Sequence, residues 1–484
     1  MNALVQKWKM ISLLLVVVLA AVGVLSACSS GGGTGAGETE APANAGDASG
    51  DAGAEPAASD AKEPVTLRLT LWGSPSEVQT YQTAIDRFQQ ANSHIKVQLE
   101  HIPTDYDTKL TTMVAGGEEP DVAMMESASI AFPLAEQGKF LNLQEFLDMD
   151  PNFSAERLVP NISYYAEPGN LIGIAPGPET FSLYYNVDMF KEAGVEPPSP
   201  KAAEAWTWDE FVEAAKRLTI DENGNNATEP DFNPDKIKQY GVNGANGWWG
   251  PWSNFIYSNG GDFVSEDGTT FGLNEPEAVE ALQKVADLIN VHRVAPSPVQ
   301  AKNVPSTNVA LQTKKVAMVI DGQWANFDLS NTDVNYDVAP LPVLKEPVTT
   351  VVAGMFSIFS STEHPEEAWA LVKALVDPEG TLELNHKGLW MPALKDWYTD
   401  PALIDKWTAN SKGRTPGYKD AVIDMMLNHS HQTPTGYVKN FNKIMDVVNP
   451  ALDKVWLGEQ SAQEAMDAIA AKAQEQVQGR RDVQ

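Results

Sequence analysis

Strand and helix patterns alternate along the chain from residue 65 onward. Segment 65–71 alternates apolar and polar residues and predicts a strand, and segment 78–88 carries apolar residues at helical spacing. Another strand pattern at 95–99, a helix around 110–114 and an apolar run at 121–125 follow. Such alternation is typical of a parallel sheet flanked by helices, and loops after its strands open toward a crevice. We therefore predict four residues that line a ligand crevice: Trp72, Ser74, Glu126 and Ser127.

Two further strands are predicted on either side of a breaker. The apolar run Leu171–Ala175 stops at Pro176-Gly177-Pro178, and a second apolar run covers Phe181–Tyr185. This arrangement suits a place where the chain passes from one lobe to another, so that Glu179 and Thr180 would face the crevice between the lobes. The alternative is an ordinary strand-turn-strand with a solvated Glu179.

Capping signals mark several helix ends. Asn186 can cap a short helix that Gly194 ends, Thr207 and Glu210 form a capping box, and Ser461 precedes an amphipathic helix. A longer helix is predicted over Glu277–Val291.

Three tryptophans crowd the segment 246–252, among Gly, Asn and Pro residues. The segment has neither helical nor strand periodicity, so at least one ring is hard to bury fully. An aromatic face exposed in a crevice suits the C–H face of a sugar ring. The alternative is that the rings pack beneath a loop.

The first 63 residues predict export and attachment rather than a folded domain. Lys7 and Lys9 precede a long apolar run that ends in Leu25-Ser26-Ala27-Cys28. This predicts a signal peptide at 1–27 and resembles a bacterial lipobox, in which Cys28 becomes the lipidated amino terminus. Residues 28–63 contain scarcely an apolar side chain larger than Ala and predict a flexible tether.

Composition excludes several classes of function. The 484 residues carry a net charge of −31, which disfavours binding to nucleic acid or anionic lipid headgroups. One cysteine excludes an intrachain disulfide and a cysteine-based metal site. His429 and His431 lack an evident third ligand, and the loop Asp221–Asp235 fails the spacing of a calcium loop. We predict neither a metal nor a cofactor.

Sequence motifs for catalysis are absent as well. The chain contains no phosphate-binding G-x-x-x-x-G-K-[ST] motif, no G-x-S-x-G and no H-E-x-x-H. A secreted glycosidase needs only two carboxylates across a sugar, and 65 acidic residues leave that alternative open. A polysaccharide-binding surface protein is a further alternative. Iron binding by Tyr184 and Tyr185 is disfavoured because neighbours on a strand point to opposite faces.

Several motifs resemble those of the bacterial extracellular solute-binding proteins of the maltose-binding type. They are the G-x-P…YN-x-D-x-F-x-x-AG pattern that begins at the breaker, AGGEEPDV, Trp208-x-Glu-Phe, and K-x-AM-x-x-x-G-x-W, which ends at Trp324. The resemblance covers nearly the whole chain after Val65. It implies an α/β fold of the type II periplasmic-binding-protein class, with two hinged lobes and a ligand cleft between them. It also implies that Trp249, Trp252 and Trp324 lie near the ligand, with Trp390 on a loop that can close on it.

From this resemblance and the breaker positions we predict the division of the chain. Lobe 1 comprises 64–178 and 356–412, and lobe 2 comprises 182–352 and 413–484. The predicted protein is a monomeric, non-enzymatic lipoprotein on the outer face of the cell membrane. It would deliver a carbohydrate to an ABC importer whose permease subunits and ATPase are separate chains.

The expected ligand is a neutral oligosaccharide. Tryptophans from segments of both predicted lobes suggest more than one sugar subsite. Glu126 and Glu179 would repel an anionic sugar, unless Arg414 or Lys439 reaches the cleft from its loop.

Overall fold

The computed structural model describes residues 63–125, 128–150 and 153–481. The predicted signal peptide, Cys28 and nearly all of the tether lie outside these residues, as do Glu126 and Ser127. Within the described part, no helix has the length and apolar character needed to cross a bilayer.

The first sheet has six strands in the order β2-β1-β3-β12-β5-β4. Strands β1, β2 and β3 run parallel, as the alternation predicted, whereas β12 is antiparallel to both β3 and β5. The strands are β1 Val65–Leu71, β2 Ile95–His101, β3 Val122–Met125, β4 Ser163–Glu167, β5 Asn170–Ile174 and β12 Met355–Ile358.

The second sheet has seven strands, in the order β13-β11-β6-β9-β8-β7, with β10 also paired to β6. Its central strand β6 is buried along its whole length. Tyr184 and Tyr185 on β6 pack into different apolar clusters, as expected for neighbours on a strand. The strands are β6 Glu179–Asn186, β7 Ile220–Asp221, β8 Ile237–Asn243, β9 Val316–Gly322, β10 Tyr336–Ala339, β11 Thr349–Val352 and β13 Ser430–Gln432.

Helices cover both sheets. The predicted caps are confirmed at Asn186, at the Thr207/Glu210 capping box and at Ser461. In the first half the helices are α1 Pro75–Ala91, α2 Tyr106–Gly116, α3 Ala128–Glu136, α4 Gln144–Met149, α5 Val187–Ala193, α6 Trp208–Leu218, α7 Trp249–Ser258 and α8 Pro276–Asn290. In the second half they are α9 Pro298–Ala301, α10 Thr307–Gln312, α11 Trp324–Leu329, α12 Pro365–Val376, α13 Pro378–Lys387, α14 Pro401–Thr408, α15 Met425–Asn428, α16 Pro434–Tyr437, α17 Phe441–Trp456 and α18 Ala462–Gln474. A π-helix spans Lys419–Asp424, and short 3-10 helices span Ala155–Arg157, Ala202–Glu204 and Lys395–Tyr398.

Besides the passage from β12 to β13, the chain passes between the two sheets at two neighbouring places. One lies between β5 and β6, at the Pro176-Gly177-Pro178 breaker, and the other lies between β11 and β12. Glu179, the first residue of β6, pairs with Val352, the last residue of β11, so the two crossings lie side by side. A Cβ on Gly177 would lie 1.8 Å from the carbonyl oxygen of Met391, so this crossing has room only for glycine. The assignment of whole segments to two lobes stays a prediction.

Two local predictions differ from the structure. The dipeptide Asp321-Gly322 predicts a turn before Trp324 from the sequence, but strand β9 continues through Gly322 and helix α11 begins at Trp324. The tryptophan-rich segment is not an irregular loop, because helix α7 begins inside it at Trp249.

Candidate ligand-binding site

A cavity of about 670 Å³ lies beside the two crossings. It is lined from the first-sheet side by the loop after β1 and from the second-sheet side by β6 and the start of α11. Further lining comes from α1, β4, the starts of α2, α3 and α7, the loop between β11 and β12, the segment after α13, and the Thr433–Thr435 segment. Strands and loops of both sheets therefore contribute to the shape of the cavity.

Most of the described residues predicted for the site line this cavity. Glu179, Trp249, Trp324 and Trp390 do so, together with Trp72 and Ser74 from the loop after β1. Two predictions do not match. Thr180 follows Glu179 on β6 and is fully buried away from the cavity lining. Trp252 is 2% exposed and stacks on Phe263 in the core, one helical turn beyond Trp249.

Five tryptophans in total line the cavity, and Trp248 is the one that the sequence analysis missed. Its side chain is 43% exposed, and its ring centroid lies 4.8 Å from that of Trp249 and 6.3 Å from that of Trp324. Trp324 in turn packs edge-on against Phe181 on β6, with 5.6 Å between centroids. The result is a continuous aromatic wall with an open indole face at its edge.

Glycines allow these rings to lie against the backbone. A Cβ on Gly322 would lie 2.1 Å from the Trp324 ring, and a Cβ on Gly250 would lie 2.5 Å from the Trp248 ring. A Cβ on Gly354 would lie 3.2 Å from the Trp72 ring. Neighbouring glycines therefore give three of the five rings space that any side chain would fill.

Acidic side chains form the polar part of the lining. Glu77, Asp105, Asp107 and Asp328 were not predicted and join Glu179 there. Glu77 and Ser74 form the capping box of helix α1, so the Ser74 hydroxyl accepts from the Glu77 amide and is committed to the helix end. Trp324 and Asp328 are four residues apart on α11, so both lie on one face of this helix. That spacing is the signal in the sequence from which Asp328 could have been predicted.

Glu179 is the most deeply buried of these acids, with 4% exposure. Its Oε1 has no hydrogen-bond partner among the described residues. Burial raises the pKa of Glu179 well above its usual value, and the neighbouring Glu77 and Asp321 raise it further. Burial also raises the pKa of Glu77, whose hydrogen bonds to Ser74 act in the opposite direction.

Other hydrogen bonds hold the walls in place. The Tyr164 hydroxyl donates to the carbonyl of Ala353 at 2.8 Å, which ties β4 to the crossing between β11 and β12. The hydroxyls of Thr433 and Thr435 lie 2.9 Å apart. Trp72 Nε1 is buried without a partner in the described part of the chain and is available as a donor to a ligand.

Neither a metal nor a basic side chain marks this cavity. No cluster of three or more His, Cys, Asp or Glu residues with metal-binding geometry occurs in the described ranges. Among the described lining residues there is no Lys or Arg. Arg414 is half-buried outside the lining, with its guanidinium 4.2 Å from the centroid of the Tyr418 ring, and Lys439 is exposed and also lies outside the lining.

The buried carboxyl of Glu179 predicts a pH-dependent stability change. The unfolded chain loses this proton near the ordinary pKa of a glutamate, whereas the folded protein keeps it to higher pH. Between the pKa of Glu179 in the unfolded chain and its pKa in the folded protein, the folded state binds more protons. Glu179 therefore makes the free energy of unfolding fall as pH rises through this range. We expect Glu179→Gln to remove this fall and to be more stable than the parent at pH 8 by about 1–3 kcal/mol.

Chemical denaturation of the parent and variant at pH 5.5 and pH 8 measures the effect. The exposed Glu363→Gln is the matched control, for which the difference from the parent stays the same at both pH values. A stability gain in Glu179→Gln that does not grow with pH would contradict the assignment.

Comparisons with known proteins agree with this fold. Chains of the same fold include an ABC substrate-binding protein of Listeria monocytogenes in complex with cycloalternan (TM-score 0.72, 23% identity, covering 85% of this chain and 99% of that one). They also include maltose-bound MalE3 of T. maritima (TM-score 0.67, 21% identity, covering 85% and 99%). Both matches support the type II periplasmic-binding-protein fold.

The relatives found by sequence are named for a different ligand, sn-glycerol 3-phosphate. The sn-glycerol-3-phosphate-binding periplasmic protein UgpB of Salmonella typhimurium is 25% identical over 419 residues, which cover 79% of this chain and 85% of that protein. The E. coli K12 protein of the same name is 24% identical over 421 residues, covering 80% and 86%.

The model of the family described as bacterial extracellular solute-binding protein matches residues 72–382. The chain belongs to this family of extracytoplasmic binding proteins that serve ABC importers.

Proposed function

We propose that the protein captures a carbohydrate in the tryptophan-lined cavity and delivers it to an ABC-type importer. The observation that carries this proposal is the pairing of five tryptophans with five carboxylates around one cavity. Indole faces stack on the apolar face of a sugar ring, and a carboxylate accepts hydrogen bonds from two hydroxyls. The solved Listeria protein of the same fold contains cycloalternan, and another, from Thermotoga lettingae, contains alpha-D-tagatose.

The lining argues against an anionic ligand such as the sn-glycerol 3-phosphate of the named relatives. A phosphate ester requires compensating positive charge or several donors. The described lining has no Lys or Arg, and its carboxylates would repel a phosphate. The predicted preference for a sugar without negative charge is therefore retained.

The size of the aromatic wall supports a ligand of more than one ring. A single sugar ring can be sandwiched by two aromatic side chains, and Trp248 lies at the open edge beyond Trp324. A cavity of about 670 Å³ falls within the usual range for small-molecule ligands. We propose a disaccharide or a longer oligosaccharide.

We further propose that binding works by closure of two lobes, 64–178 with 356–412 and 182–352 with 413–484. The chain passes between the sheets at two adjacent crossings, and the cavity lies beside them. A ligand gripped from both sides stabilises the closed state over the open one. The role is non-catalytic and the protein acts as a monomer, attached to the outer face of the membrane by lipid on Cys28.

Loss of the aromatic wall should weaken binding without unfolding the protein. A calorimetric screen of mono-, di- and oligosaccharides, with sn-glycerol 3-phosphate included, identifies a working ligand. We expect Trp248→Ala to weaken its binding by about 10-fold, since an aromatic contact contributes on the order of 0.5–1.5 kcal/mol beyond the apolar area that it buries. Gly322→Ala should weaken it as well because it displaces the Trp324 ring.

Two controls accompany these variants. Gly247→Ala adds a Cβ into open space next to Trp248, and Leu457→Ala removes an exposed apolar side chain far along the sequence. Both should bind like the parent. Tight binding of sn-glycerol 3-phosphate and of no saccharide would overturn the proposed ligand class.

Closure predicts compaction on binding. Small-angle scattering of the protein with and without saturating ligand should show a smaller radius of gyration in the bound form. An unchanged radius would favour a surface protein that holds polysaccharide without closing. Release of reducing ends from the ligand over hours would instead favour the glycosidase alternative.

The proposed anchor is tested at Cys28. We expect the Cys28→Ala precursor to be released or left uncleaved, because the thiol is the atom that takes the lipid. Membrane fractionation and electrophoretic mobility of the variant in the native host measure this. A Cys28→Ala protein with the mobility and membrane fraction of the parent would contradict lipidation.

A further inference from the structure

Acidic side chains outnumber basic ones around the cavity. Glu77, Asp105, Asp107, Glu179 and Asp328 line it, and the described lining residues include no Lys or Arg. Glu179 is 4% exposed, and its Oε1 has no partner within the described part of the chain. A buried carboxyl without a partner is costly, so the Glu179 carboxyl gains from a donor or a cation that reaches it.

Three of these acids are close enough to affect one another. Glu77 lies near both Glu179 and Asp328, since it disfavours ionisation of the former and is itself disfavoured by the latter. Asp321 accepts from the Gly322 amide at 2.8 Å. Burial raises the pKa of both Asp321 and Asp328. The carboxyls of this group therefore resist ionisation in the protein alone, and a cation among them would favour their ionised forms.

Three basic side chains make their contacts outside the cavity lining, although Nε and Nη1 of Arg414 have no hydrogen-bond partner among the described residues. Arg414 stacks on Trp407 and Tyr418 and donates to the carbonyl of Asn385. Lys387 pairs with Glu383 at 2.8 Å. His101 lies near Glu77 and slightly favours its ionised form, but its Nε2 lies 2.9 Å from the carbonyl oxygen of Gly73. None of these three side chains lines the cavity.

We propose that the ligand is a sugar that carries a protonated amine, held by Glu179, Glu77 and Asp328 against the tryptophan wall. This inference rests on the proposed function and replaces the neutral sugar expected from the sequence with an amino sugar. Hydroxyl groups satisfy the hydrogen bonds of a carboxyl group but do not offset the cost of ionising it in a buried position. An ammonium group supplies both the charge and up to three donors, and an indole face attracts it as well.

The test compares sugars that differ only in this amine. Calorimetry on the purified protein uses glucose and the amino-deoxy sugars in which an amine replaces the 2-, 3-, 4- or 6-hydroxyl, as monosaccharides and as α- and β-linked disaccharides. The N-acetylated forms keep the nitrogen without its charge. We expect at least one amine to bind about 10-fold or more tightly than both its hydroxyl parent and its N-acetyl form, as charge-assisted hydrogen bonds are roughly twice as strong as neutral ones.

Variants locate the effect in the carboxyl cluster. In Glu179→Gln and in Asp328→Asn the preference for the amine over the hydroxyl parent should fall about fivefold or more, a typical size for the loss of one partly exposed charge pair. The exposed Glu363→Gln should keep the parental preference. Measurement in two variants guards against the misfolding of either one.

The outcomes separate this inference from the proposed function. Equal or tighter binding of the hydroxyl or N-acetyl sugar overturns the amino-sugar inference and leaves carbohydrate capture in place. An amine preference that persists in both cleft variants also overturns the inference, because the cluster would then not be its source. Failure of every saccharide to bind overturns the proposed function itself.

Discussion

The fold depends on the pairing of two strand ends at the point where the chain passes between the sheets. Glu179 begins β6 and pairs with Val352 at the end of β11, so both crossings are held by one short antiparallel ladder. β6 is buried along its whole length, and Gly177 before it has no room for a side chain. Rigid pairing of the crossings fixes where the cavity lies. It also places a carboxyl group at the start of a fully buried strand, and this burial is the main origin of its raised pKa.

Burial acts on the aromatic and acidic residues of the cavity in opposite ways. The tryptophans gain from it, because Gly322 and Gly250 let the rings of Trp324 and Trp248 pack against the backbone with one face left for a ligand. The acids lose from it, because a carboxylate removed from water needs a partner, and Glu179 Oε1 has none within the described residues. A ligand with an apolar face and polar groups at its edge relieves both conditions at once.

Strand and helix periodicity predicted much of this architecture from the sequence, and the family motifs predicted its class. The cavity was predicted less well, for reasons that particular residues explain. Gly250 and Pro251 made the tryptophan-rich segment look irregular, although Pro is tolerated in the first turn of a helix and α7 begins at Trp249. Trp252 is therefore turned into the core and Trp248 remains outside. Asp105 and Asp107 reach the cavity only through the packing of the chain, which no local pattern encodes.

The net charge of the whole chain and the acidic residues that line the cavity have different consequences. Only the lining residues select a ligand. The chain carries −31 overall, so acids are expected on any surface. Exposed acids remain solvated and are screened within about 8 Å at physiological salt. Asp105 and Asp328 are exposed, whereas Glu179 has lost almost all contact with solvent. Burial raises the pKa of Glu179, so its ionised form is disfavoured in the protein alone. A positive group beside it stabilises the ionised carboxylate, so this site favours a cationic sugar for a reason that the composition alone does not contain.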